Sequence, residues 1–255
     1  MGGEQTQRVL TLEAPIQGSL GTGAVSSTSA AGSSDLARPW LELGAQAAVQ
    51  GQQFSEDFNK VNILRKVPVL KDGDFTLEES TAILLYLSRK YNTPSHWYPP
   101  DMKKRGRVDE FLAWQQSTIH VSCSKIFWLK VVIPMFINQQ LPPEKLHDVT
   151  EDLTTNLQKL EDKFLRDQPF LIGTEISLAD LVAIVELMQC MGAGWETFEG
   201  RPKLQEWRKR VEVFLGKELF AEAHARILNN QEMRNMTIDP SLKVQLKPFL
   251  LKMMK

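Results

Sequence analysis

The chain has 255 residues, of which 42% are hydrophobic and 24% charged, and its formal net charge is −1. This composition is typical of a soluble globular protein with room for two modest domains. The near-zero charge argues against nucleic acid or an anionic membrane as the main partner, because both need a basic excess. No continuous apolar run reaches the roughly 20 residues of a membrane-spanning helix, and Met1–Arg8 has no signal-peptide pattern. With only Cys123 and Cys190, both in apolar surroundings, we expect free buried thiols and a cytoplasmic location.

Residues 1–50 differ in character from the rest of the chain. The run Gly18–Ser34 consists almost entirely of small and polar residues, which cannot bury enough apolar surface to offset the entropy of ordering them. We therefore predict that residues 1–50 form a divergent, disordered, low-complexity segment. A short helix is possible at Trp40–Val49, and order is expected to begin near Phe54.

A β-hairpin and a helix are predicted between residues 51 and 95. The apolar run Val67–Leu70 is followed by Lys71–Asp74, which contains an Asp-Gly pair, and the extended pattern resumes at Phe75–Leu77. This order is typical of two strands joined by a tight turn. A helix then begins at Ser80, with cations in its last turn, where they suit the helix dipole. Its apolar positions are Ile83, Leu84, Tyr86 and Leu87.

A proline-rich linker separates this region from an all-helical domain at residues 101–255. Prolines at 94, 99 and 100 interrupt regular structure. Apolar residues beyond the linker recur at steps of three and four, which predicts amphipathic helices. These stripes run along residues 108–119, 146–164, 202–211 and 242–253, whereas residues 178–188 are apolar almost all round and should form the buried centre.

The start of that central helix carries a recognisable folding signal. Ser177 and Asp180 have the spacing of a capping box, and Ile176 and Leu181 are placed for a hydrophobic staple. We assign this group to folding rather than to catalysis.

Two residue pairs near the hairpin have the chemistry of a binding site for a small peptide-like ligand. A cis bond at Val67–Pro68 would turn the Val67 backbone outward to pair with an extended ligand, although such a proline is also an ordinary edge or turn residue. Glu79–Ser80 lies at a helix N-terminus, where a ligand carboxylate could be bound and Glu79 could meet an ammonium group. The alternative is that Ser80 only caps the helix and Glu79 only complements its dipole.

The sequence does not indicate a metal site, a phosphate-binding loop or a serine nucleophile. The histidines at positions 96, 120, 147 and 224 have no metal-ligand spacing to one another, to cysteine or to carboxylates. A phosphate-binding loop and a serine nucleophile elbow are also missing. We therefore expect no metal.

Six segments, in this order, are similar to the glutathione transferases, and specifically to the theta class of vertebrates. They are Asn62–Leu77, Glu79–Ser80, Ala82–Tyr91, Arg107–Glu110, Ile176–Ile184 and Phe198–Leu204. The resemblance runs from about Gly51 to Lys255. It implies an α+β two-domain fold, with a partial thioredoxin-like N-terminal domain and an all-α C-terminal helical bundle, and it implies a homodimer.

The resemblance also implies a ligand and a role for each residue pair. The ligand would be glutathione, held at its cysteinyl backbone by Val67 with Pro68 in the cis form, and at its γ-glutamyl end by Glu79 and Ser80. Lys66 would lie near the glycyl end.

Several positions depart from the family pattern. The first strand of the theta class leads to a Ser-x-Pro motif whose serine stabilises the glutathione thiolate, and residues 1–50 contain no such motif. We therefore assign no catalytic residue. Gln53 stands where the family has a basic residue, and Ser117 and His120 stand where the class offers an acidic and basic pair across the dimer. Phe249 falls where the family often has an aromatic residue over the hydrophobic substrate.

Residues 1–50 stand where the family has its first β-α-β unit, so we expect an incomplete sheet. Two of four strands and one helix would be missing, and the remaining sheet would expose an edge. Alternative splicing or a misassembled gene model would produce such a sequence, and so would an isoform with its own N-terminal fold.

Two functions follow from these observations. The first is conjugation of glutathione to electrophilic or hydrophobic small molecules in detoxification, with hydroperoxide reduction as a related activity. The second is a catalytically impaired glutathione-binding or interaction protein.

Overall fold

The computed structural model describes residues 11–13, 56–229, 243, 244 and 248. The chain divides into two compact units, Met1–Pro94 and Ser95–Lys255. The short helix expected at Trp40–Val49, and nearly all of the helix expected at residues 242–253, lie outside the described residues.

The first unit combines a small sheet with two helices. In chain order its described elements are β1 (Thr11–Glu13), α1 (Glu56–Val61), β2 (Val69–Asp72), β3 (Phe75–Glu78) and α2 (Ser80–Lys90). The sheet has the order β1-β2-β3, so that β2 is its central strand. Val69 and Leu70 on β2 are buried, and Val69 packs with Phe58 of α1. The unit is thus built around the middle strand.

The predicted hairpin and helix are confirmed. β2 and β3 pair in antiparallel fashion, with Val69 opposite Glu78 and Asp72 opposite Phe75. Gly73 opens the turn with a φ of +59°, a conformation that glycine adopts without steric cost. Helix α2 buries Ile83, Leu84 and Leu87, as its period predicts, whereas Tyr86 is half-buried. Strand β2 begins at Val69, two residues after the start of the apolar run at Val67.

Strand β1 corrects two expectations drawn from the sequence. Thr11–Glu13 lies within the segment expected to be disordered, yet it forms a strand. It pairs in parallel with β2, with Thr11 level with Val69 and Glu13 level with Lys71. The edge of β2 that was expected to be exposed is therefore covered by β1, because even three residues can satisfy part of a strand's backbone hydrogen-bonding groups.

The second unit is helical throughout its described regular structure. Its helices are α3 (Met102–Ser117), α4 (Ile119–Phe127), α5 (Ile133–Ile137), α6 (Glu144–Lys159), α7 (Leu178–Gly192), α8 (Pro202–Leu215) and α9 (Lys217–Leu228), with π-helical stretches at Trp128–Val132 and Leu160–Leu165. The stripe predicted at residues 146–164 therefore lies on α6 and the π-helical stretch that continues it.

Helix α7 is the buried centre, as its sequence predicts. Eleven of its fifteen residues are buried. At its start, Ser177 and Asp180 form the predicted capping box. Asp180 is fully buried and accepts hydrogen bonds from Ser177 N, Ser177 Oγ, Leu171 N and Trp207 Nε1, at 2.9, 3.1, 2.8 and 2.8 Å. Burial raises the pKa of the Asp180 carboxyl, and these donated hydrogen bonds act in the opposite direction.

One long helical stretch differs from the expectation that no segment could span a membrane. Met102–Ile137 is long and apolar enough to cross a membrane by length and composition, which a search for uninterrupted apolar runs does not detect. However, 56% of its most apolar window is buried within the protein. The core helix of a soluble protein has the same properties, so this stretch is weak evidence for a membrane span.

Both cysteines are free and buried, as expected. Burial raises the pKa of the Cys123 thiol well above its usual range, and the neighbouring Cys190 raises it further. Because the thiolate is the reactive form, Cys123 is chemically quiet.

Candidate functional site

The hairpin brings together the two residue pairs that the sequence singled out. Val69 lies opposite Glu78 in the antiparallel ladder. Val67–Pro68 directly precedes Val69 and Glu79–Ser80 directly follows Glu78, so both pairs lie at the same end of the hairpin. The Lys66 Nζ and Glu79 Oε1 atoms are 4.0 Å apart, in agreement with this placement. One end of the hairpin therefore gathers Lys66 and both pairs in the first unit.

Glu79 has an unusual backbone conformation at the junction of β3 and α2. Its φ is +66° and its ψ is 113°, in a region that non-glycine residues rarely adopt. Glu79 occupies the N-cap position of α2, but its side chain makes no capping hydrogen bond. Its carboxylate is instead exposed beside Lys66, at 62% relative side-chain accessibility. A strained residue whose side chain does not serve its own helix is typical of a functional site.

Ser80 is the first residue of α2 rather than its cap. Its side chain is half-buried, and the amino end of an 11-residue helix lies next to it. The simple capping role considered from the sequence is therefore wrong for Ser80. The helix N-terminus adds a partial positive charge to a hydroxyl donor, which is a favourable setting for an anion.

The Val67–Pro68 bond is cis, as the family resemblance implies. The Val67 side chain is half-buried and packs against the cluster formed by Phe58 and Val69. The side chain of Val67 is thus anchored in the unit, while Lys66 before it is exposed.

An interaction cluster that the sequence did not reveal braces the hairpin against α2. The Asp72 carboxylate accepts hydrogen bonds from Lys90 and from the Tyr86 hydroxyl, the latter at 2.5 Å. These donors, Lys90 first, hold the pKa of Asp72 below its usual range. The ring of Tyr86 also packs on Phe75, with centroids 5.3 Å apart. This cluster fixes the far end of the hairpin and so helps to hold the β3–α2 junction.

Ser117 and His120 lie in the second unit, near the break between α3 and α4. Ser117 Oγ donates to the Trp114 carbonyl at 3.3 Å. The Nδ1 atom of His120 lies 2.8 Å from Glu186 Oε1 on α7. Glu186 is one of two acidic residues in the largely apolar helix α7, and the sequence did not indicate its contact with His120. The expected contact of Ser117 and His120 with a ligand stays a prediction.

Gln53 and Phe249 lie outside the described residues, so their expected roles also stay predictions.

The direction of β1 bears on the missing Ser-x-Pro motif. Parallel pairing places the carboxyl end of β1 level with Lys71, whereas Pro68 precedes the amino end of β2. With a rise of roughly 3.3 Å per residue, a residue level with Lys71 is about 13 Å along the strand from one level with Val67. A serine that followed this strand would therefore lie at the wrong end of β2 for a ligand at Val67.

Comparison with known families gives matches to both units. A family model described as the glutathione S-transferase N-terminal domain matches residues 37–95, and one described as the C-terminal domain of the same family matches residues 122–213. The first match begins at residue 37, and the boundary expected near residue 50 stays a prediction.

Individual relatives agree with this result. Glutathione S-transferase theta-1 of Gallus gallus is 57% identical over 218 residues, which cover 86% of this chain and 84% of that protein. The structure of human glutathione S-transferase T1-1 in its apo form has a TM-score of 0.77 and 46% identity, covering 89% of this chain and 95% of the other. Human glutathione transferase theta-2, in complex with glutathione and an unknown ligand, has a TM-score of 0.75 and 40% identity, covering 89% and 96%.

Proposed function

Because this chain belongs to the theta class of the glutathione transferases, we propose that the end of its hairpin binds glutathione through Lys66, Val67–Pro68 and Glu79–Ser80. The observation that carries this assignment is the antiparallel pairing of Val69 with Glu78, which brings both residue pairs to the same end of the hairpin. Support also comes from the relative human theta-2 enzyme, whose structure contains glutathione.

The γ-glutamyl end of glutathione matches the chemistry of Glu79 and Ser80. This end carries an ammonium group and a carboxylate on one carbon. The exposed Glu79 carboxylate suits the ammonium group, while the Ser80 hydroxyl and the amino end of α2 suit the carboxylate. Binding there uses a side chain that makes no capping bond of its own.

The rest of the tripeptide would lie along the start of β2. The Val67 backbone pairs with the cysteinyl residue in the manner of an added strand. Lys66, exposed at 73% of its side chain, leaves its ion pair with Glu79 when glutathione binds and provides a positive charge for the glycyl carboxylate. Gln53 would add only an uncharged hydrogen bond at that end.

The reaction is attack of the glutathione sulfur on an electrophilic carbon. A carbon–sulfur bond forms, the leaving group departs with its electron pair, and the thiol proton is lost to solvent or to a base. No described residue is assigned to stabilise the thiolate. Family membership favours this transferase activity over the alternative of an interaction protein without chemistry.

Assembly and location are proposed by the same family relationship. We expect a cytoplasmic homodimer in which Ser117 and His120 approach the glutathione bound by the partner, and in which no metal takes part. Analytical ultracentrifugation of the full chain would give the mass of a dimer if this is correct, and the mass of a monomer at all concentrations if it is not.

The activity itself is tested by turnover of a small alkyl halide, or of cumene hydroperoxide, with glutathione. We expect a rate above the uncatalysed background. Ser80→Ala should raise the KM for glutathione about tenfold, since a hydrogen bond to a charged group is lost. Thr76→Ala, at an exposed position on β3, is the control and should change KM less than about twofold. A wild-type rate equal to background would reject the proposed activity for this chain.

A further inference from the structure

Asn62 is a buried amide in an otherwise exposed loop. It follows α1 directly and has only 1% relative accessibility, whereas its neighbours Ile63 and Leu64 are 80% and 53% exposed. Buried amides are uncommon unless their hydrogen-bonding groups are satisfied. We therefore expect the Asn62 side chain to have hydrogen-bond partners within the loop.

The Asn62 side chain binds the backbone on both sides of the loop. Its Oδ1 accepts from Leu64 N at 2.7 Å, and its Nδ2 donates to the Lys66 carbonyl at 2.8 Å. The Asn62 backbone is also engaged, since its N–H donates to Phe58 O and its carbonyl accepts from Arg65 N, at 2.8 and 3.1 Å. Asn62 thus connects α1 to the peptide that precedes Val67.

The Lys66 carbonyl belongs to the same peptide unit as the Val67 N–H. A peptide unit is planar and, when trans, its C=O and N–H point in opposite directions. The hydrogen bond from Asn62 Nδ2 directs the Lys66 carbonyl toward the Asn62 side chain. The Val67 N–H therefore points away from that side chain. The orientation of the backbone donor that the proposed glutathione site uses is therefore set by one buried side chain.

We propose that Asn62 is a positioning residue for glutathione, acting through the Lys66–Val67 peptide rather than by contact with the ligand. This inference rests on the proposed function, because it assumes that the Val67 backbone meets the cysteinyl part of glutathione. Preorganising the peptide removes the cost of ordering it when the ligand binds. Asn62 contributes to affinity for glutathione and not to recognition of the electrophile.

The test is Asn62→Asp, which preserves the size of the side chain and its acceptor for Leu64 N. The ionised carboxylate cannot donate to the Lys66 carbonyl and repels it. Calorimetry of the full chain with glutathione should show affinity about tenfold weaker than that of the wild type. In steady-state kinetics the KM for glutathione should rise, while kcat and the KM for the electrophile stay within about twofold.

Protonation provides a second readout that a general loss of stability would not produce. A protonated Asp at position 62 regains an O–H donor for the Lys66 carbonyl, and burial favours that protonated form. The affinity of Asn62→Asp for glutathione should therefore approach that of the wild type as pH falls. The ratio of the two affinities should stay constant with pH if the inference is wrong.

Asn59→Ala is the matched control. Asn59 accepts from Arg65 Nε at 3.0 Å in the same loop, without touching the Lys66 carbonyl. Its affinity for glutathione should stay within about twofold of the wild type. If Asn62→Asp does not fold, Asn62→Ser gives the same comparison with an uncharged, shorter side chain.

Glutathione binding by the wild type and by the Asn62 variants distinguishes the role of Asn62 from the proposed glutathione site. A wild-type protein that does not bind glutathione rejects the proposed site. A wild-type protein that binds glutathione no more tightly than Asn62→Asp or Asn62→Ser rejects the role of Asn62 alone.

Discussion

At the scale of single residues, Glu79 combines backbone strain with a proposed binding role. Its positive φ costs roughly 1–3 kcal/mol, and its carboxylate makes no capping bond to α2. Glycine tolerates such a conformation without strain. Stability and binding at this position are therefore expected to oppose each other.

Two substitutions at Glu79 separate these effects. Glu79→Gly should raise the free energy of unfolding by about 1 kcal/mol, because the strain is removed. This change would appear as a higher midpoint of urea unfolding. Glu79→Gln retains the strain and should leave the midpoint unchanged. Both variants lose the negative charge, so both should bind glutathione more weakly in calorimetry. Unchanged affinity in either variant would remove Glu79 from the site.

His224 makes a separate prediction about acid stability. It is 2% exposed, its Nδ1–H donates to the Phe220 carbonyl at 2.7 Å, and its Nε2 has no partner among the described residues. Burial lowers the pKa of His224 from 6.5 to about 4, with a further contribution from Arg208. Between these two values the unfolded chain takes up a proton that the folded chain excludes, so stability falls as pH falls.

The predicted loss is about 3 kcal/mol between pH 6.5 and pH 4. His224→Leu should remove this part of the pH dependence in urea unfolding, because the titrating group is gone. His147→Gln is the control, since His147 is exposed at 67% of its side chain. If His224→Leu and the wild type lose stability in parallel over this range, the buried histidine is not the cause.

At the scale of elements, α7 depends on the buried capping box at its start. Four donors converge on the Asp180 carboxylate, including Trp207 Nε1 from α8. One carboxylate thus fixes both the start of α7 and its packing against a second helix. An amide at this position would turn one acceptor into a donor that faces other donors.

Asp180→Asn should therefore destabilise the protein by about 3 kcal/mol, although it preserves the size of the side chain. Ser177→Ala should cost only about 1 kcal/mol, as is usual for loss of an N-cap. Urea unfolding followed by circular dichroism measures both changes. Equal effects of the two substitutions would contradict the central role of the carboxylate.

The direction of β1 gives a prediction about catalysis. Glu13-Ala14-Pro15 follows the pattern x-x-Pro, so Glu13→Ser creates the Ser-x-Pro order of the theta class directly at the end of a strand. Because β1 is parallel to β2, position 13 is level with Lys71 and not with Val67. Turnover with glutathione should therefore change less than about twofold. A large increase in kcat would mean that β1 runs antiparallel to β2.

Local patterns predicted much of the fold, whereas contacts distant in sequence did not follow from them. The Asp-Gly turn, the period of α2 and the Ser177–Asp180 spacing each lie within a few residues, so the sequence determines them directly. The pairing of β1 with β2 joins residues such as Thr11 and Val69 through a long intervening segment. The contact between His120 and Glu186, 66 positions apart, is equally invisible to a local pattern.

The candidate site was predictable to the same extent. Residue types and the family resemblance identified Val67–Pro68 and Glu79–Ser80. The positive φ of Glu79 and the part played by Asn62 were not predictable, because glutamate rarely adopts such a backbone and one asparagine in a loop has no distinctive pattern.

At the scale of the whole molecule, the chain joins a family-typical helical unit to an N-terminal unit whose beginning is unusual. Both family models match, but the N-terminal match starts only at residue 37. The residues proposed to recognise glutathione lie after that point. Recognition of glutathione is therefore proposed within the matched part of the sequence, and it can be measured separately from catalysis.

Calorimetry with glutathione and with cysteinylglycine, which lacks the γ-glutamyl residue, tests the proposed site most directly. Wild-type protein should bind glutathione at least about tenfold more tightly than cysteinylglycine, because only glutathione reaches Glu79 and Ser80. In Ser80→Ala the affinity for glutathione should fall while the affinity for cysteinylglycine stays the same. The ratio of the two affinities should therefore be smaller than in the wild type. Equal affinities of the wild-type protein for both ligands, or equal losses for both in Ser80→Ala, would contradict the site.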